Sequence, residues 1–175
     1  MELTRRGFLS LTAASAFCLF CAGCGDATAV SPAGTLTAHI GDAGLSYWLY
    51  TPHSIGTPKP LVLYLHGGSG KGSDLNAVLE AESLPRFLQE GQLAPDAYVV
   101  MPQLPANCKG WSDCTAQLMQ LLAVIKAQYP IARTALTGHS MGGTGAWAIA
   151  AAHPGYFARV APLSGSIRNT PENLQ

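Results

Sequence analysis

The sequence is poor in charge. Only 11% of its 175 residues are Asp, Glu, Lys or Arg, and Lys+Arg equal Asp+Glu at 10 each. No basic patch stands out, which removes the electrostatic footprint of a nucleic-acid binder. Internal repeats and low-complexity tracts are absent. The apolar run Phe8 to Phe20 is too short and too rich in small residues for a membrane span. Five histidines and five cysteines are present, but Cys108 and Cys114 with scattered histidines make no zinc spacing, so no metal site is expected. A phosphate-binding P-loop is also missing, because Gly70-Lys71-Gly72-Ser73 does not place its lysine and hydroxyl correctly.

Apolar residues make up 48% of the chain, enough for a real core in a single domain. The N-terminus reads as an address. Arg5 and Arg6 precede the apolar run, and small residues lead to Cys24, the layout of an export signal. Thr4-Arg5-Arg6-Gly7-Phe8-Leu9 resembles a twin-arginine signal, and Cys21-Ala22-Gly23-Cys24 resembles a lipoprotein cleavage box with Cys21 where leucine is usual. The expectation is a twin-arginine-like lipoprotein signal over 1–24, lipidation at Cys24, a small polar tether over 25–35, and a folded domain over 36–175. Such a chain crosses the bacterial inner membrane and sits on the cell envelope through its lipid, or is periplasmic or secreted without it. In an oxidising compartment Cys108 and Cys114, six positions apart in a turn-rich stretch, become a candidate disulfide.

Leu36–Ile40 and Leu45–Tyr50, separated by Gly41-Asp42-Ala43-Gly44, read as an antiparallel hairpin. Pro60–Leu65 and Ala97–Met101 are continuous apolar runs, as in strands buried on both faces. Thr134–Thr137 and Val160–Leu163 read as two more strands. Between them lie a helix from Ser73-Asp74 that Pro85 interrupts, a helix over Thr115–Gln128 with Leu118, Leu121, Leu122 and Ile125 on one face, and an alanine-rich helix ending near His153. Strand–helix alternation implies a mostly parallel sheet covered on both sides, with chemistry at the C-terminal ends of its strands.

Two glycine-rich turns fall at such ends. Gly138-His139-Ser140-Met141-Gly142 has the form G-x-S-x-G between a strand and a helix. A nucleophile needs that sharp turn to expose its hydroxyl, and Gly138 and Gly142 relieve the crowding around it. The helix that follows points its positive end at the reacting oxygen. Ser140 is therefore the candidate nucleophile. His66-Gly67-Gly68-Ser69-Gly70 follows the earlier buried strand and suits the second half of an oxyanion hole. The donors assigned are the N–H groups of Met141 and Gly68, with Ser69 as the alternative to Gly68. His66 is read as fixing the loop, not as moving protons.

With these pieces in place, the chain from about Leu45 to Gly165 resembles the α/β-hydrolase superfamily. It is similar to bacterial esterases and peptidases of the dienelactone-hydrolase, polyhydroxybutyrate-depolymerase and feruloyl-esterase-like groups, through PLVLYLHGG, AYVVMPQLP, TALTGHSMGGTGAWAIAAAHP and VAPLSG. The resemblance implies a Ser–acid–His triad in that chain order, hydrolysis through an acyl-enzyme, no cofactor, and a small ester or peptide-like substrate. The alternatives are a serine peptidase of the prolyl-oligopeptidase type and a non-catalytic binding lipoprotein. Tyr47, Trp48 and Trp111 are read as core or pocket wall. The family's acid and histidine follow the strand equivalent to Val160–Leu163, where this sequence offers Glu172 but no histidine and no further strand. The expectation is thus a C-terminally truncated hydrolase lacking its last strands, with the triad acid and histidine absent.

Overall fold

The computed structural model describes residues 34–41 and 44–167. The expected signal, most of the tether, Cys24, Asp42, Ala43 and Glu172 lie outside the described residues.

Six strands form one sheet in the order β1-β2-β4-β3-β5-β6. They are β1 (Thr35–His39), β2 (Tyr47–Thr51), β3 (Lys59–Leu65), β4 (Tyr98–Pro102), β5 (Ile131–His139) and β6 (Arg159–Leu163). β1 pairs antiparallel with β2, and β2 antiparallel with β4. β3 pairs parallel with both β4 and β5, and β6 is parallel to β5. This is the expected hairpin followed by a parallel sheet. β5 begins three residues before the expected Thr134, because Lys59 and Pro60 of β3 offer it partners at Ile131 and Arg133.

Four α-helices cover the sheet: α1 (Asn76–Ala81), α2 (Ser83–Gln89), α3 (Thr115–Gln128) and α4 (Met141–Ala152). Alternation along the buried strands feeds two cores. Leu61, Leu63 and Leu65 face Leu118, Leu121, Leu122 and Ile125 of α3 and Ala146 and Ile149 of α4. Tyr64, with Val99 and Met101 of β4, faces Leu75, Val78 and Leu88. The apolar face expected of α3 is buried as read. Tyr47 is buried in the first core, and Trp48 is half-buried with its indole donating to Leu75 O at 3.0 Å.

The helix break is not at Pro85. It lies three residues earlier, at Glu82, whose backbone is extended at φ −131° and ψ 139°. A proline ring collides with the carbonyl four residues back, here that of Ala81, so one continuous helix is excluded. Once α2 restarts at Ser83, Pro85 stands in its first turn, where an N–H has no intrahelical partner to lose. The break turns the Glu82 side chain inward, leaving it 7% exposed.

Candidate active site

Ser140 sits between β5 and α4 with φ 54° and ψ −113°. A positive φ is costly for a residue with a Cβ and persists only where the surroundings hold it. Here the Ser140 N–H donates to Leu163 O of β6 at 2.9 Å, and Ser140 O accepts the Thr144 N–H at 3.0 Å. The turn is possible because Gly142 brings its Cα against the Leu65 and His66 carbonyls, a space that any Cβ would fill. Met141 opens α4, so its N–H belongs to the unpaired first turn beside Ser140.

The second turn follows β3. Gly68–Gly70 forms one turn of 3-10 helix. The Gly67 N–H is held by Glu82 Oε1 at 2.6 Å, and the N–H groups of Gly70 and Lys71 bond Gly67 O and Gly68 O. Among the described residues, no internal acceptor meets the N–H of Gly68 or Ser69, the two donors that the sequence suggested.

His66 behaves as a fixed strut. It is fully buried, its Nε2 accepts the Leu104 N–H at 3.0 Å, and its Nδ1 bonds Gly67 O. These bonds select one neutral tautomer and leave neither nitrogen for proton transfer. Burial drives its pKa below the usual 6.5, against smaller opposing effects of the Gly67 carbonyl and of Glu82.

A cleft of about 540 Å³ opens over Ser140, lined also by Met141, Thr144, Trp111, Lys109 and Ser164 among others. Trp111 is thus both core and wall. Among the described residues, no histidine and no carboxylate lines it. His139 points elsewhere: its Nδ1 stands 3.2 Å from Glu82 Oε2, in a separate apolar cavity of about 470 Å³. His153 lies beyond α4 near Tyr156, His39 stacks on Tyr47, and His53 lines a further hollow. Sequence reasoning missed Glu82 altogether. Pro85 signalled the break that places it, but nothing local signalled that its carboxylate turns inward.

Cys108 and Cys114 bring their Sγ atoms to 3.0 Å, both as thiols. The described residues hold no group of His, Cys, Asp or Glu that could bind a metal ion. Among them, no helix is long and apolar enough to cross a membrane.

A strained serine between a parallel strand and a helix, facing a glycine-rich loop from the neighbouring strand, has the geometry that a nucleophile elbow requires. The chain belongs to the Esterase family, whose model matches residues 48–172. A search of curated proteins returns no match. Among solved structures, the S-formylglutathione hydrolase of Staphylococcus aureus is similar at TM-score 0.56 and 21% identity, over 77% of this chain and 57% of that one. The feruloyl esterase module of Clostridium thermocellum, complexed with sinapinate, gives 0.57 and 21% over 77% and 55%. A thermostable esterase gives 0.53 and 22% over 76% and 41%. These likenesses show the α/β-hydrolase fold. The chain spans about half the length of the structures it matches.

Proposed function

We propose that this chain carries the nucleophile and the oxyanion hole of a serine hydrolase that cleaves small carboxylic esters through an acyl-enzyme. The placement of Ser140 carries the reading: a residue at φ 54° between β5 and the start of α4, opening on the cleft. Ser164 has a similar φ of 53° but follows β6 and heads no helix, so it is the strand-to-helix position of Ser140 that weighs against a binding-only role. The Ser140 hydroxyl attacks the ester carbonyl, and its oxygen takes up negative charge between the N–H groups of Met141 and Gly68. The acyl group passes to Ser140, the alcohol leaves, and water releases the acid. Among the described residues, neither a histidine nor a carboxylate lines the Ser140 cleft to act as the general base or its acid. An ester with an aromatic acid is the first substrate class to try, since the feruloyl esterase neighbour binds sinapinate.

The test is labelling with a fluorophosphonate, which needs only a reactive serine and an oxyanion site. A phosphonyl adduct on the peptide holding Ser140, absent in S140A, is the expected result. Labelling is expected over hours where the base is lacking, since elbow and oxyanion hole alone keep a residual acceleration of about 10³–10⁴ over water. Failure to label, or equal labelling of S140A, would remove the reading. For the unprocessed chain, export and attachment at Cys24 belong to the same proposal. C24S should release the protein from the membrane fraction, and R5K/R6K should hold it in the cytoplasm.

A further inference from the structure

We infer that Glu82 is a positioning residue that ties the two halves of the oxyanion hole together. The inference rests on the serine-hydrolase reading above. One buried carboxylate reaches three segments. Its Oε1 accepts the Gly67 N–H at 2.6 Å, and its Oε2 accepts the Tyr64 hydroxyl at 2.9 Å. The same Oε2 lies 3.2 Å from His139 Nδ1. Tyr64 is the penultimate residue of β3, Gly67 precedes the loop donor Gly68, and His139 ends β5 directly before Ser140 and Met141. Each proposed donor thus rides on a segment that Glu82 grips one or two residues away.

The geometry is built for that grip. A Cβ at Gly67 would come within 2.8 Å of Glu82 Oε1 and 3.5 Å of Ser140 Cβ. The first distance would force the carboxylate off the Gly67 N–H, whereas the second is ordinary contact, so glycine is needed there for the carboxylate's close approach. The next peptide, which carries the Gly68 N–H, is held as well, because Gly67 O meets His66 Nδ1 and the Gly70 N–H. Tyr64 keeps its proton to donate, since burial and the nearby Glu82 charge push its pKa upward. The Gly67 N–H is fully engaged and cannot serve the substrate, which presents Gly68 as the first free donor.

Stability alone does not account for the arrangement. Burying a carboxylate is costly, and a well-packed hydrophobic residue in such a place is often as stable or more so. What a leucine could not do is hold two peptide segments at a fixed separation. That matters chemically, because a donor displaced by about 1 Å can lose a hundredfold in rate.

The test compares E82L, which keeps much of the volume and loses every acceptor, with E82Q. Glutamine keeps an oxygen for the Gly67 N–H and offers amide hydrogens to the Tyr64 oxygen and His139 Nδ1. Two readouts are taken on the full chain: the rate of fluorophosphonate addition to Ser140, and amide hydrogen exchange in peptides covering 65–70 and 138–142. E82L is expected to slow the addition about tenfold to a hundredfold and to speed exchange in both peptides. E82Q is expected to stay within about threefold of wild type in both. An E82L rate equal to wild type, or faster exchange in only one of the two peptides, overturns the inference. Should wild type itself not label, the hydrolase reading falls while the exchange data still decide the coupling. If E82L does not fold, H139A removes only the elbow arm, from a side chain that is half-exposed. It should speed exchange over 138–142 and slow the addition about threefold, and no change in either overturns the inference.

Discussion

The indole N–H of Trp111 donates to the carbonyl oxygen of His66 at 3.0 Å, across 45 positions of sequence. The two rings meet edge to face with centroids 4.9 Å apart. The contact joins the loop after β4 to the start of the glycine-rich loop after β3. The other side of Trp111 rests on Gly145 of α4, where a Cβ would lie 2.5 Å from that of the tryptophan. One side chain therefore touches the glycine-rich loop after β3, the helix that follows Ser140, and the cleft.

Removing that side chain should cost more than an ordinary surface change. W111A is expected to destabilise by about 3–5 kcal/mol through lost burial and a cavity. W111F should cost about 1–3 kcal/mol, mostly from leaving the His66 carbonyl without its donor. Urea denaturation with an unchanged slope would measure both. A W111A cost below about 1 kcal/mol would show that the loop repacks without the indole.

A pair of glycine variants separates crowding from backbone preference. G145A gains helix propensity of about 1 kcal/mol, yet its methyl must displace Trp111 at the Cβ, which cannot swing away. The net expectation is a loss of about 1–2 kcal/mol. Gly110 lines the same cleft, but its φ of −165° is ordinary extended backbone and a Cβ there meets nothing within 4 Å. G110A should lie within about 0.5 kcal/mol of wild type. A stabilised G145A would contradict the contact.

Much of the fold was legible because its signals are local. The unbroken apolar runs at Pro60–Leu65 and Ala97–Met101 marked strands buried on both faces, and Leu118, Leu121, Leu122 and Ile125 marked the inner face of α3. The sharp turn at Ser140 was legible because a strained residue between strand and helix needs glycines at fixed offsets. Pro85 reads as interrupting or kinking the helix, and its clash four residues upstream places the interruption at Glu82. The inward carboxylate was beyond reach, since its partners Tyr64, Gly67 and His139 lie 15 to 57 positions away and come together only in the folded sheet.

The buried His66 gives stability a pH dependence of known sign. Its folded pKa is lowered, chiefly by burial, from an ordinary 6.5. Below that value the unfolded chain binds a proton that the folded protein refuses, so acid favours unfolding. The contribution is complete above about pH 6.5 and is lost as pH falls from there towards the lowered folded pKa. Across that window the slope from this one group approaches about 1.4 kcal/mol per pH unit. Denaturation at pH 7.5 and 5.5 should show the loss. H66N, which cannot titrate, should flatten the same interval even if it lowers stability throughout. An equal slope in both proteins would assign the acid sensitivity to other groups.

Cys108 and Cys114 are expected to pair once the chain meets an oxidised dithiol partner. Their sulfurs already stand 3.0 Å apart, with Cys108 partly exposed and Cys114 buried. Burial, then the hydrogen bond with Cys108, pushes the Cys114 thiol up to about 12, so it is a poor nucleophile at neutral pH. Cys108 is the accessible sulfur. Its thiolate attacks the partner's disulfide, and Cys114 then displaces the partner as a reduced dithiol, closing the ring. The stapled segment holds Lys109, Gly110, Trp111 and Ser112, all of which line the Ser140 cleft. A short loop of this kind is expected to add about 2 kcal/mol. Intact mass after alkylation under denaturing conditions should show two hydrogens missing and neither thiol blocked. Reductant, or C108S, should lower the urea midpoint by the matching amount. Alkylation of both cysteines in protein matured under oxidising conditions would mean that the pair stays reduced, and that Trp111 is held by its packing and its bond to His66 alone.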